Sequence, residues 1–481
     1  MSATPAALRL AALAVAFVLP AHALAADGAA APARPASAVD GRAAPLDASP
    51  ASKSYLLPAA EIIGFDFMLN RVNHRFGSGR DDYAVDLSTI RRNLHSGWGT
   101  DHDPFNINQL AHPYQGSMYH GFARSAGFDY WESLGYTFLG SVFWEIAGEQ
   151  TRPSRNDQVA SGIGGTFLGE ALFRMSNLVL EQGGGLPRFW REAAAGAISP
   201  AAGFNRLAAG NHYGGIFSSH DAAYFSRLQL GYSHGTREET GVTSSKFKPN
   251  EALVDFSIDY GLPGAKGYDY TRPFDYFNFQ ATASSANGIE NVLTRGLLIG
   301  KAYEAGPDYR GVWGIYGSYD YIAPQIFRVS TTAVSVGSTG HLFLTRNWSL
   351  EGTGTVGVGY TAVGTTNGAG GDRDYNYGVT PQALLALRLT DSDRAALDVT
   401  GREYFVSGVG SGTSGGHDNI LRLDASLTVR LFKQQALTLR YLGNRRDASF
   451  PGVASGRQTR NSVALLYTLL GQDRFGTVDW H

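Results

Sequence analysis

The chain contains no cysteine. That excludes disulfides, thiolate metal sites, cysteine nucleophiles and a lipidated N-terminal cysteine. It also lacks a dominant charge: 40 Lys and Arg against 42 Asp and Glu leave a formal balance of -2. No global field therefore favours nucleic acid or an anionic surface, and no nucleic-acid partner is expected. Beyond the N-terminus no run reaches about 18 uncharged apolar residues, so no inner-membrane helix is expected. No nucleotide loop or cofactor fingerprint occurs, and no cofactor is predicted. What the chain does have is glycine and aromatics: 60 Gly, 24 Tyr and 26 Phe among 481 residues. That balance suits many turns and aromatic-rich strands better than a helical enzyme.

The N-terminus reads as a targeting segment. Arg9 precedes an apolar run from Leu10 to Leu19, closed by Pro20, and Ala23-Leu24-Ala25 offers a small-x-small cleavage site. Residues 1–25 are thus expected to be a secretory signal peptide. Residues 26–52, mostly Ala, Pro, Gly and Ser, are expected to be a flexible leader with too little apolar surface to order itself.

From residue 53 to 215 the spacing predicts about five or six helices. Ala59 to Phe76 carries an apolar stripe at Ile62, Ile63, Phe67 and Val72. A short helix covers Val85 to Leu94. Trp98 to Asn108 is turn-like, and its Asp101, Asp103, Asn106 and Asn108 oxygens suggest a cation loop. The glycine and distal glutamate of such a loop are missing, so Asx-turn chemistry is the plainer reading. Gln109 to Ala126 carries His112, Tyr119, His120 and Arg124; Tyr130 to Ala147 carries Glu132 and Glu145. Ser154 opens a third helix running to about Glu181, with Asp157 three residues on as in a capping box. Its small-residue face, Gly165-Thr-Phe-Leu-Gly169, predicts close packing against Tyr130–Ala147. Glu170 and Arg174 share a face.

His112, Tyr119, His120, Arg124, Glu145, Asp157, Glu170 and Arg174 form a candidate polar centre. One reading is a structural network in which Arg124 and Arg174 pair with Glu145 and Glu170. The other is a metal or acid–base site at His112, His120, Glu145 and Glu170, with Asp101 and Asp103 beside the two histidines as further ligand candidates. No HExxH or ExxH pair occurs in this region, so the first reading is the expectation.

The ordered pattern Trp98, Asp103-Pro-Phe105, Asn108-Gln109, His112-Pro-Tyr, Tyr119, Ala123-Arg124, Trp131-Glu132-Ser133, Trp144-Glu145, Pro153-Ser154, Asp157, Leu168-Gly169-Glu170 and Arg174 resembles the bacterial DUF3943 family of uncharacterised exported proteins. Arg191-Glu192, Pro200 and Gly203-Phe204-Asn205-Arg206-Leu207 continue the likeness. It spans about residues 95 to 210. It implies export and brings no reaction, cofactor or partner.

From Ala222 the period becomes two. In Ile420–Phe432, Leu421, Leu423, Ala425, Leu427, Val429 and Leu431 share one face, and Arg422, Asp424, Ser426, Thr428 and Arg430 the other. Segments around Val254–Tyr260, Trp313–Tyr321, Leu397–Phe405 and Leu437–Tyr441 repeat the pattern. Residues 216–481 therefore predict a roughly twelve-stranded antiparallel transmembrane β-barrel, giving an α+β chain overall. Short turns at Arg346-Asn347, Asp391–Asp393 and Lys433-Gln434 alternate with longer loops at Gly364–Asn376, Gly408–Asp418 and Gly443–Thr459. Glu403 falls on the apolar face, which suggests a strand end or a bulge. Asp255, Asp259, Asp398, Arg402, Arg422, Asp424 and Arg430 are expected to face the lumen.

These features predict a non-enzymatic outer-membrane protein with its helical segment on the periplasmic side or in the barrel mouth. Its partners are the outer-membrane bilayer and, at most, other envelope proteins or an unidentified small molecule. The alternative is a lipid-modifying or metal-dependent hydrolase. Ser233-His234 in GYSHG and the stretch GTSGG at 412–416 match GxSxG by letter, but neither precedes a helix.

Overall fold

The computed structural model describes residues 53–480 apart from 78, 184–185, 214, 243, 245, 367–370, 409–414 and 452–454. The expected signal peptide and leader lie outside the described residues, as does most of the 412–416 stretch. The chain divides into two compact units, one built on helices and one on the strands from His220 onward.

Among the described residues, seven helices of nine residues or more build the first unit: α1 (Leu56–Phe76), α2 (Leu87–His95), α3 (His112–Ser125), α4 (Tyr130–Ala147), α5 (Gly165–Gln182), α6 (Arg188–Ile198) and α7 (Pro200–Tyr213). Local chemistry sets their starts. Asp86 accepts the Thr89 amide at 2.8 Å to cap α2. Asp129 and Glu132 form a reciprocal capping box on α4, each bond 2.9 Å. The helix expected from Ser154 begins there, with the Ser154 hydroxyl accepting the Asp157 amide at 3.2 Å. It does not run straight: Gln158–Gly164 winds as a π-helix before α5. A second π-helical segment, Ile107–Ala111, leads into α3.

Two expectations about packing are corrected. The buried face of α1 is Pro58, Ile62, Asp66 and Asn70, so of the apolar stripe only Ile62 is buried. Ile63 and Phe67 are 50% and 66% exposed. That face is mixed: Ile62 packs with Met118, Tyr119, Phe122 and Ala201, and Asn70 donates to the carbonyls of Tyr83 and Gly148 at 2.9 and 2.8 Å. The small-residue face of α5 packs on α3 rather than α4. A Cβ on Gly165 would lie 2.6 Å from the Gly116 Cα, and one on Gly169 would lie 3.0 Å from the Ser117 Cα. What meets α4 is the π segment, where Gly162 sits under the Phe138 ring.

The second unit is a closed antiparallel barrel of twelve strands in sequence order, with β1 closing on β12. They are β1 (Tyr224–Thr240), β2 (Asn250–Tyr260), β3 (Phe277–Ser284), β4 (Gly288–Glu304), β5 (Tyr309–Ile322), β6 (Phe327–Phe343), β7 (Trp348–Thr365), β8 (Asn376–Asp391), β9 (Ala395–Ser407), β10 (His417–Phe432), β11 (Gln435–Ser449) and β12 (Gly456–Leu470). The expected loop Gly443–Thr459 is mostly strand, since Gly443 pairs with Asn461 and Ala448 with Gly456. Both faces are polar there, so the apolar alternation that marks a strand is lost. Glu403 marks neither an end nor a bulge: the β9 ladder continues through it to Ser407, and Glu403 sits on the outside opposite Leu421.

Outward side chains of β10, β11 and β12 are apolar and about half exposed, including Leu423, Leu427, Leu439, Val463 and Leu465. Their inward neighbours Arg422, Thr428, Thr438 and Thr468 are buried. A barrel that is apolar outside and polar inside is made for lipid. The end bearing the start of β1 and the finish of β12 has the short turns at 344–347, 392–394 and 433–434. The one long connection there, between β2 and β3, folds in. Leu262 joins Phe225, Ala396, Ala436, Leu470 and Phe475 in a buried cluster. The C-terminal tail completes it: Trp480 packs on Phe343 and His341, and its indole donates to the Pro307 carbonyl at 2.9 Å. At the opposite end Ile322, Ile326, Phe327, Val329, Val363, Val406 and Ile420 form another buried apolar cluster.

The glycine contacts make a test. A Cβ on Gly116 would stand 2.0 Å from the Ser161 carbonyl oxygen, a backbone atom that cannot swing away. Gly116→Ala is expected to destabilise the helical unit by about 1–3 kcal/mol. Gly135→Ala in α4, with nothing within 4 Å, is expected to be neutral or stabilising by up to about 1 kcal/mol. Thermal unfolding followed by far-UV circular dichroism reads both.

Candidate functional site

The expected polar centre is three centres. In the first, Glu170 lies at its middle, fully buried. It accepts from Arg124 Nε at 2.8 Å, Arg174 Nε at 2.8 Å and His120 Nε2 at 2.9 Å. Arg124 also donates to the Phe128 carbonyl at 2.6 Å and lies over the Phe173 and Phe217 rings. Burial alone would raise the Glu170 carboxyl, but Arg124, His120 and Arg174 outweigh it and hold it well below the usual range. Burial lowers the His120 imidazole despite Glu170. The ring is neutral near pH 7, donating from Nε2, while Nδ1 has no hydrogen-bond partner.

The second centre was not visible in the sequence. Asp66 of α1 accepts from the Tyr119 hydroxyl at 2.5 Å and from Gln115 Nε2 at 3.3 Å. Burial pushes its carboxyl up to about 7, against the pull of those two bonds. Gln115 and Tyr119 sit four apart on α3, which is why one carboxylate reaches both.

The third centre is acidic. His112 at the start of α3, Glu145 near the end of α4 and Asp157 before the π segment offer ligand atoms that all lie within 4.8 Å of one another. These side chains are 4%, 3% and 3% exposed. His112 Nδ1 lies 3.2 Å from the Ser161 hydroxyl. Glu145 Oε2 accepts the Ser154 amide at 2.7 Å, and Oε1 has no hydrogen-bond partner. Glu149, which the sequence reading missed, accepts from the Trp144 indole at 2.7 Å and the Thr151 hydroxyl at 3.0 Å. Burial and then Asp157, Glu149 and Asp101 push Glu145 well above the carboxylate range. Burial and then Asp101 and Asp103 do the same to Asp157. The 98–108 stretch is held here by Gly99, whose amide donates to Pro153 and whose carbonyl accepts from Arg155. Within it Asp101 accepts from the Asp103 amide at 2.9 Å and from Asn108 at 3.0 Å, which is Asx-turn chemistry. The expected pairing of Glu145 with an arginine is corrected: Arg124 and Arg174 both serve Glu170. His120 belongs to the Glu170 centre, and His112 to the acidic one.

In the barrel, Asp255, Asp259, Asp398, Arg402, Arg422 and Asp424 lie on the inward face of their strands. Arg430 sits at the strand end, donating to the carbonyls of Asp393 and Lys433. The partners that the sequence reading left out cross the lumen. Arg388 on β8 reaches Asp259 on β2 at 3.0 Å, together with Glu351 and Asp398. Arg440 on β11 bridges Asp424 and Asp255 on β2, the latter at 3.2 Å. Arg460 on β12 bridges Glu251 on β2 and Glu290 on β4. Tyr404 on β9 donates to Asp320 on β5 at 2.7 Å. The space left among the Arg388 and Arg440 groups is about 100 Å³. A larger hollow of about 830 Å³ lies over the outer-face residues Val356, Leu385, Leu423 and Gly401, where lipid chains would fill it. Ser233 and His234 do not form a dyad: Ser233 is buried inward, and His234 is exposed and bonded to Asn250 at 2.7 Å.

A helical unit with buried charge, followed by a closed barrel with an apolar exterior, defines a membrane β-barrel protein with an N-terminal helical domain. Residues 97–201 match the family model described as Domain of unknown function (DUF3943). That segment holds all three helices that carry the acidic and Glu170 centres. No curated protein matches the sequence. Solved barrels resemble about half of the chain. The NanC porin is 7% identical, with 49% of this chain and 98% of that one covered at a TM-score of 0.23. The outer membrane channel DcaP of Acinetobacter baumannii is 8% identical, with 52% and 97% covered at 0.24. The outer membrane protease OmpT from Escherichia coli is 10% identical, with 52% and 97% covered at 0.21. The barrel itself rests on its own twelve ladders, not on these likenesses.

Two substitutions separate the buried carboxylates. Glu170→Gln leaves two buried guanidinium groups without their anion and is expected to cost about 3–5 kcal/mol. Because its folded carboxyl is depressed, Glu170 stabilises above the ordinary glutamate range and loses that contribution as pH falls below it. Asp66 has the opposite sign. Its carboxyl is raised to about 7, so the unfolded chain releases this proton first and stability falls as pH rises from about 4 to 7. Asp66→Asn is expected to flatten that slope and to stabilise at pH 8 by on the order of 4 kcal/mol at most. Denaturant melts of the helical signal across pH check both signs.

Proposed function

We propose that this chain is an outer-membrane protein whose barrel anchors and does not conduct, with a non-enzymatic helical domain on the periplasmic side. The carrying observation is the set of arginine–carboxylate contacts that cross the lumen, from β8 and β11 to β2 and from β12 to β4. Buried apolar clusters lie toward the two ends of the barrel, on either side of them. Barrel termini and short turns belong on the periplasmic side in bacterial barrels, and the helical domain precedes β1 at that end of the barrel, which supports a periplasmic helical domain. The helical domain also carries apolar side chains outward, among them Phe67 and Met68 of α1, Leu139 of α4 and Leu207 of α7, each more than half exposed. Such an exterior favours contact with the periplasmic leaflet or with another envelope protein.

Stability of the lumen network supports an anchor over a conduit. Opening a path requires several charge pairs to separate in a confined space, and each charge left alone costs several kcal/mol. A hydrolase built on Ser233 could not use His234 as its base, because neighbouring strand residues point to opposite sides.

The test is electrical. The purified full chain, shown to be folded by heat-modifiable gel mobility, is expected to give no stepwise conductance in planar bilayers. Regular steps from the wild-type chain would refute the anchor reading.

A further inference from the structure

We infer that His112, Glu145 and Asp157 form a closed binding site for one divalent first-row transition-metal ion, held by one imidazole nitrogen and carboxylate oxygens. Three independent features point there.

The first is proximity. Ligands around one such ion sit about 2.0–2.2 Å from it, so opposed donor atoms lie within about 4.4 Å of one another. The three donors already lie within 4.8 Å, and small side-chain rotations close the difference.

The second is unspent donor capacity. Glu145 is buried, yet Oε1 meets no donor, an arrangement that costs several kcal/mol for an ionised oxygen. The Glu170 centre a few turns along α3 shows how this chain treats a carboxylate meant to be neutralised by protein: it supplies two arginines and a histidine. Glu145 and Asp157 instead lie with the His112 imidazole in one cluster whose donor atoms are within 4.8 Å of one another. A divalent cation neutralises both carboxylates at once and accepts the bare oxygen.

The third is the backbone. Two of the three ligands border π-helical segments: Ile107–Ala111 ends at His112, and Gln158–Gly164 begins after Asp157. A π turn inserts one residue and rotates the side chains beyond it, at a cost in hydrogen-bond geometry, and such turns concentrate at functional sites. The two π segments thus flank the cluster that His112 and Asp157 form with Glu145 of α4. The Ser161 hydroxyl, inside the second π segment, is the partner of His112 Nδ1 and leaves Nε2 for the metal.

The donor set fixes the class. A nitrogen donor disfavours Ca²⁺ and Mg²⁺, which take oxygen ligands, and favours Mn²⁺, Fe²⁺ or Zn²⁺. Burial fixes the role. With each ligand at most 4% exposed, no substrate reaches the ion, so it locks α3, α4 and the π segment together instead of turning over a substrate.

The experiment uses the full chain in detergent, stripped with a chelator and then dialysed against Mn²⁺, Zn²⁺ or Ca²⁺. Elemental analysis is expected to find about one Mn²⁺ or Zn²⁺ per chain and no retained Ca²⁺. Reloading is expected to raise the melting temperature of the helical signal. Glu145→Gln, which keeps the side-chain shape, and His112→Ala are expected to lose the metal and the melting shift together. Ser161→Ala is expected to weaken binding by about 10–100-fold, as loss of an orienting partner does. His120→Gln, in the Glu170 centre, is expected to bind as the wild type. Retention of no transition metal by the folded wild type overturns the site, as does equal binding by Glu145→Gln. Preference for Ca²⁺ overturns the assigned class.

Discussion

A charge removed from water has to meet an opposite charge, and both units of this chain are arranged around that requirement. In the helical unit a single carboxylate, Glu170, gathers Arg124 from α3, Arg174 from its own helix and the His120 imidazole. In the barrel Arg388, Arg440 and Arg460 each hold at least two carboxylates from different strands. These groups are too far inside for solvent to screen them, so their geometry is tightly specified. Moving one strand by a residue would turn every inward charge toward lipid. The networks therefore fix register as well as filling space.

The same requirement explains the mixed polarity of the helical interior. Close packing through Gly116, Gly165 and Gly169 brings backbones together without large apolar side chains between them. The interior is then mixed: Asn70, Gln115, His120 and Arg124 lie among Ile62, Met118, Tyr119 and Phe122, while Ile63, Phe67 and Met68 of α1 lie on the outside. A helix whose polar face is buried cannot be placed by hydrophobic periodicity alone. That is why Ile63 and Phe67 of the stripe point outward and only Ile62 is buried, although the helix itself was legible from its length and spacing.

The barrel was legible for the opposite reason. Alternation of Leu421, Leu423 and Leu427 with Arg422, Asp424 and Ser426 follows directly from lipid on one side and a polar lumen on the other. Where β11 and β12 leave the apolar band, Arg445 and Asp447 face out while Asn444 and Arg446 face in, and the signal disappears although the ladder continues. Pairings across the lumen were beyond reach in principle. Arg440 and Asp255 are separated by nine strand crossings in sequence and share nothing local; only closure of β1 on β12 makes them neighbours. Arg124 and Glu170 share that problem on a smaller scale. Spacing marked both as buried charges on helices but offered no way to choose between Glu145 and Glu170 as the partner.

That choice is what separates the two charged centres of the helical unit. Both lie on α3, both include a histidine of that helix, and both are closed to solvent. One is electrically complete: two guanidinium groups hold Glu170 ionised, and its oxygens are fully used. The other gathers carboxylates from α4 and the stretch after it around His112, and leaves an oxygen of Glu145 bare. A fold able to place two arginines beside one buried carboxylate could have done the same eight residues earlier on α3. It places π turns there instead, and a π turn is expensive to keep unless the side chain it redirects has somewhere to go. The contrast argues that the acidic centre is organised for a cation that the polypeptide does not itself provide.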